Sequence, residues 1–436
     1  MREGPAGFLG RAFFDGGGRG LVLARGMLEG GRVVRGRGPG RLAVMEERID
    51  ILSPSFRANP YPHYAAMRTS SPVCQVDPDG MWAVSRWDDV LFVLKNPALF
   101  SSRGFKAVME PPWIGYNPLV HSMLALDPPA HTRLRGLVTR AFGGGTTRRL
   151  APKVERLAEE LAGKLVGEVD FVEAFATPLP AFVIGEILGL DPSLHVFFKR
   201  WADDITSIAP EPESAAHVAQ VQTAIAELSG YLREVVAARR RAPADDTVSD
   251  LIHAEVDGHS LTEDEILDFL VLLLLAGLET TTHLLGNTMI LLAAQPAIWD
   301  RLRGDPALAA PFVEEMLRYD GPSHALPRIT TAEVTIAGVT IPVGSLVLAL
   351  VASANRDERR HADPDRFDID RNAQGHLQFG HGIHTCVGAL LARMEVRIAL
   401  EVLTRRFRRV ELGAGEIRYN RTIAIRGPVV LPVRFS

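Results

Sequence analysis

From Leu261 to Gln295 the pattern is nearly unbroken. FLVLLLLAGL, ten residues without a polar side chain, lies between Asp268 and Glu279. The stretch predicts one long helix that is apolar all round and so belongs in the centre of a large core. Its apolar centre is about half of a membrane span. Thr262 and Glu265 have the spacing of a capping box at its start, and Pro296 bounds its end. Helical periodicity recurs near 61–69, 87–96, 129–142, 147–166, 176–188, 192–208, 213–241, 308–318 and 387–408. Strand-like alternation is sparser: 73–76 with 81–85 around Asp77-Pro78-Asp79-Gly80, then 333–349 as a hairpin about a glycine, then 416–435. A mainly α chain of the α+β class is expected, with a small sheet assembled from distant strands.

The loop FGHGIHTCVG, Phe379 to Gly388, carries the most distinctive chemistry. Cys386 lies among glycines that let backbone pass close to a flat ligand, and an apolar helical run follows it at Val387 and Gly388. Ionising a thiol of pKa near 8.5 at neutral pH takes roughly 2 kcal/mol. A helix N-terminus contributes only about 0.3–2 kcal/mol, so a bound cation should supply the rest. Taken alone, Cys386 could also be a small buried hydrophobe. It could be a zinc ligand with His381 and His384, although no fourth ligand has the usual spacing. A nucleophile paired with a histidine and a redox disulfide with Cys74 are further options.

Three other motifs lie far from this loop. AGLETT, Ala276 to Thr281, puts an acid and a hydroxyl inside the apolar helix. EEMLRY sets Glu315 and Arg318 three apart on one helical face. HTRLR sets His131 and Arg135 four apart on a helix opened by Pro128 and Pro129. Singly, each has an ordinary reading: a hydroxyl bonded back to the preceding turn, a solvated ion pair, a basic surface face.

Together, and in this order, they resemble the cytochrome P-450 family of haem-thiolate monooxygenases, of the soluble bacterial ferredoxin-dependent type. The loop matches FxxGxHxCxG at Phe379, Gly382, His384, Cys386 and Gly388, with Thr385 and Val387 where Phe and Leu are common. The resemblance implies a triangular fold with a long central helix, a helix-rich domain and a small β-sheet region over residues 45–436. It implies haem b ligated by Cys386, whose electron density favours O–O cleavage, with O2 as co-substrate. Thr280 and Glu279 would bring protons to the oxygen. Ala276 and Gly277 would border the haem, with Gly277 leaving room for a diatomic molecule in a bulged helix. His131, Arg135, Arg328 and His384 would bind the two propionates. Phe379 and Gly388 complete the loop. Glu315, Arg318 and Arg366, the last from Pro364-Asp365-Arg366-Phe367, would form a buried structural cluster. A hydroxyl at Thr385 would stand near the sulfur and tune the iron.

The resemblance further implies electrons from NAD(P)H through ferredoxin reductase and ferredoxin, since no flavin or iron–sulfur motif is present. Arg133, Arg140, Arg148 and Arg149 are candidate docking residues for an acidic ferredoxin. An apolar substrate such as a terpenoid, steroid, fatty acid or polyketide is expected, hydroxylated or epoxidised in a pocket lined by Trp113, Ile114, Ala325, Leu326 and Ile423, with Met109, Tyr116 and Ala424 beside them. A peroxide-using or isomerising relative and a non-catalytic haem-thiolate sensor or recruitment domain are the alternatives.

Composition narrows the rest. The chain has 436 residues, 47% hydrophobic and 23% charged, with net charge −4, which argues against nucleic acid as a partner. Two cysteines fit a reducing compartment. No run approaches eighteen apolar residues, so no membrane anchor is expected and a cytoplasmic monomer is. Residues 1–44 hold 13 of the 39 glycines and eight arginines. Such a stretch cannot bury enough surface to fold, and the natural start is expected at Met45.

Overall fold

In the computed structural model, residues 48–436 are described apart from 142–144, 192–193, 210, 257 and 421. The expectations for residues 1–44 and for Met45 lie outside the described residues. The central helix runs Glu263–Ala294, 32 residues. Its capping box is formed: the Glu265 N–H donates to Thr262 Oγ1 at 3.2 Å, and the Thr262 N–H donates to Glu265 Oε2 at 2.9 Å. Gln295 caps the other end, and Pro296 opens the next helix, Pro296–Gly304.

By length and composition this helix could cross a membrane, contrary to the expectation that no segment comes near; 83% of its most apolar window is buried within the protein. Its neighbours include the helices Pro178–Leu188, Ala215–Arg241 and Ala389–Arg406. The expected bulge is absent, and the helix is continuous through Thr280. Thr280 Oγ1 donates to the Ala276 carbonyl at 2.7 Å, so its hydroxyl is satisfied inside the helix.

A five-stranded sheet forms the second layer, in the order Val73–Val76, Met81–Val84, Leu346–Ala349, Leu326–Thr330, Phe100–Ser101. Leu346–Ala349 pairs in parallel with Met81–Val84 (Val347 opposite Trp82) and antiparallel with Leu326–Thr330 (Val347 opposite Arg328). Alternate residues face opposite sides. Val73, Val84, Val347 and Ala349 belong to one apolar cluster, while Val76, Ala83 and Leu348 belong to another. The expected hairpin in 333–349 is Val334–Ile336 with Val339–Ile341, turning at Ala337-Gly338. The strand Leu326–Thr330 was not anticipated, because Pro327 and Arg328 interrupt its alternation.

Glu395 stands out in the helix Ala389–Arg406. It is 2% exposed, its Oε2 has no hydrogen-bond partner, and burial pushes its pKa up to about 8. Between the ordinary carboxyl range and that value, the folded protein keeps a proton that the unfolded chain releases. Stability should therefore fall as pH rises through this window, with a contribution of about 1.4 kcal/mol per pH unit from this group. Urea unfolding of Glu395→Gln between pH 5 and 8 should show that slope removed; an unchanged slope would refute the assignment.

Candidate active site

Cys386 sits at the end of a loop that closes on itself, its N–H donating to the Phe379 carbonyl at 2.9 Å. Gly380 and Gly382 have φ of +69° and +73°, the left-handed region where a side chain is strained. The following helix begins at Ala389 with Gly388 as its cap, slightly later than expected. The Cys386 side chain is exposed. Surrounding protein nevertheless pushes the thiol pKa up, and the Gly388 N–H, Arg135 and Arg393 only partly oppose this. The protein alone therefore favours the neutral thiol. The Thr385 hydroxyl is engaged elsewhere: it donates to the Gly382 carbonyl at 2.8 Å.

Beside the thiol is a cluster of basic groups. The His131 and His384 rings are 4.2 Å apart between centroids. His131 is 2% exposed, yet neither ring nitrogen has a hydrogen-bond partner. His384 meets Ser102 Oγ at 2.8 Å; burial, then His131, Arg328 and Arg135, push its pKa down to about 3. Arg135 Nη2 donates to the Thr385 carbonyl at 2.8 Å. Arg328 is 4% exposed, and its guanidinium bonds only the Pro327 carbonyl among the described contacts. Burial lowers its pKa to about 10, opposed by the charge of Asp127. Asp127 is itself taken by Ser101 Oγ and the Ser102 N–H at 2.5 and 2.9 Å. Buried polar groups without partners are costly, and this set has the charge to receive an anionic ligand. These residues are of the kind haem requires: Cys386 could hold its metal, and His131, Arg135, Arg328 and His384 could take its two acidic arms. Among the described residues no group of three or more His, Cys, Asp or Glu converges as a metal site, which leaves the zinc reading without ligands.

The central helix opens on one short face: Ala276 is exposed and Gly277 and Thr280 are half-buried, although the flanking turns are buried. Gly277 does not serve the role expected of it. A Cβ there would lie 3.2 Å from Ile184 Cδ1, so its missing side chain admits the helix Pro178–Leu188. Glu279 is 5% exposed. His283 Nε2 is 3.4 Å from its Oε2, Lys199 Nζ is 3.9 Å from its Oε1, and Lys199 also pairs with Asp203. Burial alone would raise the Glu279 pKa; His283 and Lys199 outweigh it and hold the carboxyl below its usual value. Sequence reasoning missed both partners. His283, one turn after Glu279, was visible by spacing; Lys199 was not.

Behind the loop, Glu315 and Arg318 are fully buried and joined by two bonds of 2.7 Å. The expected third member was wrong. Arg366 is 60% exposed and pairs with Asp363 and Asp368. Arg371, five residues later, reaches Glu315 Oε1 at 3.2 Å and anchors on the Ala362 and Asp363 carbonyls. The cluster extends to the loop: Arg318 Nη1 donates to the Asn355 carbonyl at 3.0 Å, and Asn355 Oδ1 accepts from the Leu377 N–H at 2.7 Å.

The expected pocket residues divide. Ala325 and Ile114 are closed into apolar clusters as core packing, whereas Trp113, Leu326 and Ile423 keep partial exposure. The Ala424 carbonyl accepts from the His324 N–H at 2.8 Å, which brings the segments around Leu326 and Ile423 together. Trp113 Nε1 donates to the Ala209 carbonyl at 3.1 Å. Tyr116 turns outward, its hydroxyl 2.8 Å from Asp268. A separate cavity of about 450 Å³ lies among Tyr61, Asn287, Tyr319, Arg356 and Arg426, away from the thiol. Its charges are already paired, Arg356 with Asp365 and Arg426 with Asp320. Of the candidate docking arginines, Arg133 and Arg149 are paired with Glu265 and Asp245, Arg148 is exposed, and the side chain of Arg140 lies outside the described residues.

Comparison with known proteins gives one family. A sequence profile of the cytochrome P-450 family matches residues 197–305 and 307–424. Cyclomarin C epoxidase of Salinispora arenicola is 40% identical over 376 residues, covering 85% of this chain and 94% of the relative. Erythromycin C-12 hydroxylase of Saccharopolyspora erythraea is 39% identical over 355 residues, covering 81% and 88%. The structure of a cytochrome P-450 from Chondromyces apiculatus superposes with a TM-score of 0.83 at 40% identity, covering 89% of this chain and 98% of that one.

The two arginines of the 363–371 segment should separate in denaturant titrations. Arg371→Ala should cost about 3–5 kcal/mol by leaving a buried carboxylate undercompensated, and Arg366→Ala about 0–1 kcal/mol. Equal losses would restore Arg366 to the cluster.

Proposed function

The chain belongs to the cytochrome P-450 family, and from that premise we propose that Cys386 holds haem b and that the cleft beside it oxidises a large apolar molecule. The protein is a monooxygenase that uses haem, O2 and electrons from redox partners. When bound, the haem supplies what no side chain can: reductive cleavage of dioxygen, with one atom inserted into substrate and the other released as water. The observation that carries the assignment is His131, buried with two unpartnered ring nitrogens, alongside an Arg328 that lacks a carboxylate of its own.

The chain's own residues then have distinct tasks. Cys386 provides the thiolate. His131, Arg135, Arg328 and His384 would hold the acidic arms of the haem and so orient it. Thr280 lies on the open face of the central helix, and its hydroxyl can exchange the Ala276 carbonyl for a partner in the cleft at a cost of about 1 kcal/mol. Glu279 carries protons inward from the Lys199–Asp203 pair once its carboxylate turns from Lys199 and His283. The buried flanks of the helix keep bulk water away from this exchange.

Substrates are apolar molecules of terpenoid, steroid, fatty acid or polyketide type, undergoing hydroxylation or epoxidation. Relatives named for erythromycin and cyclomarin C support the larger members of that range. Electrons come from NAD(P)H through ferredoxin reductase and an acidic ferredoxin that meets Arg148 and its neighbours. The protein works as a cytoplasmic monomer.

Purified protein should contain iron, and its reduced carbon monoxide complex should show the Soret shift of a thiolate ligand; Cys386→Ser should abolish the shift. An unaltered spectrum in that variant would overturn the proposal. Thr280→Ala should continue to consume NAD(P)H while product per NAD(P)H falls by about 10²-fold. Undiminished coupling would remove Thr280 from proton delivery. Arg148→Glu should slow reduction by ferredoxin without changing substrate affinity; equal effects on both would count against that docking site.

A further inference from the structure

Glu314 precedes the buried Glu315 but serves a different group. Its carboxylate takes two nitrogens of Arg393, Nε at 2.5 Å and Nη2 at 3.0 Å. The Arg393 guanidinium carbon lies 4.5 Å from the centroid of the Phe379 ring. His376 completes the group. Its ring is 5.7 Å from Phe379, and its Nε2 is 3.4 Å from Glu314 Oε2. His376 Nδ1 accepts the Gln378 N–H at 3.2 Å, which leaves the ring proton on Nε2, toward Glu314. Phe379 in turn holds Cys386 through the 2.9 Å backbone bond described above. One carboxylate, one guanidinium and one ring thus connect the helix Ala309–Asp320 to the cysteine loop.

The pairing is more than a surface contact. Glu314 and Arg393 side chains are 23% and 33% exposed, and His376 is 3% exposed. Although burial opposes it, His376 and Arg393 hold the Glu314 carboxyl at about 2, so it stays ionised over the working pH range. Arg393 is also brought near Cys386 by geometry, since it stacks on the ring of the residue whose carbonyl takes the Cys386 N–H. A planar guanidinium satisfies a carboxylate and an aromatic face at once, which an ammonium does not.

We propose that Glu314 and Arg393 are positioning residues that clamp Phe379 and set the electric field at the cysteine ligand, so that the two charges adjust the reduction potential in opposite directions. This rests on the reading that Cys386 binds haem. Reduction adds negative charge to the ligand–metal unit. A nearby cation stabilises the reduced state, and a nearby carboxylate destabilises it.

The test is the reduction potential of substrate-free holoenzyme, measured spectroelectrochemically. Arg393→Gln should shift the potential to more negative values and Glu314→Gln to more positive ones. The double variant should return close to the parent. Arg393→Lys, which keeps the charge but not the stack, should keep the potential while losing haem faster to apomyoglobin. Should Arg393→Gln fail to fold with haem, Glu314→Gln and Arg393→Lys still decide the matter. Shifts of one sign, or none, in variants that retain the thiolate carbon monoxide spectrum would overturn this inference alone. A parent protein without that spectrum would overturn the haem reading itself.

Discussion

The carboxylate of Glu315 is the charge around which the rest of the protein is arranged. It is wholly buried, and its oxygens are met by Arg318, Arg371 and the Asp368 N–H. A buried charge of this kind is tolerable only while every partner stays in place. The helix Ala309–Asp320 and the segment 362–371 are therefore obliged to meet at one geometry. From Arg318 the same obligation passes through Asn355 to Leu377, two residues before Phe379. The cysteine loop inherits its position from a salt bridge that takes no part in the chemistry.

The cleft follows the opposite rule. Where Glu315 has all its partners, His131 and Arg328 have fewer than burial normally allows. The two arrangements are complementary. One region satisfies its charges internally, while the other leaves basic groups short of partners. Glu279 stands between these extremes, buried but matched only loosely by His283 and Lys199 at 3.4 and 3.9 Å.

Much of this was legible in the chain, for identifiable reasons. The capping box at Thr262 and the apolar run after Asp268 are local signals, and local signals survive tertiary context. The loop around Cys386 is dense with constraints, since left-handed turns at Gly380 and Gly382 leave few alternatives. Arg366 and Arg371 were not separable, because both follow acids within a few positions and only folding shows which acids are on the surface. Gly277 was misread for a related reason: a vacant side-chain position admits whatever packs on it, and here that is Ile184. Lys199 lies 80 positions before Glu279, beyond the reach of spacing arguments. The strand bearing Arg328 was hidden because pairing with Val347, not alternation, holds Pro327 and Arg328 in extended form.

The parallel pairing of Met81–Val84 with Leu346–Ala349 also has a consequence for biogenesis. Ribosomes deliver the first of these strands more than 260 residues before the second. During most of translation its open edge is covered by no parallel neighbour and is exposed to misassociation. His131 emerges early and Cys386 late, so the two stand together only when the polypeptide is nearly finished. A group held by both could be captured only as a closing event in the life of the nascent chain.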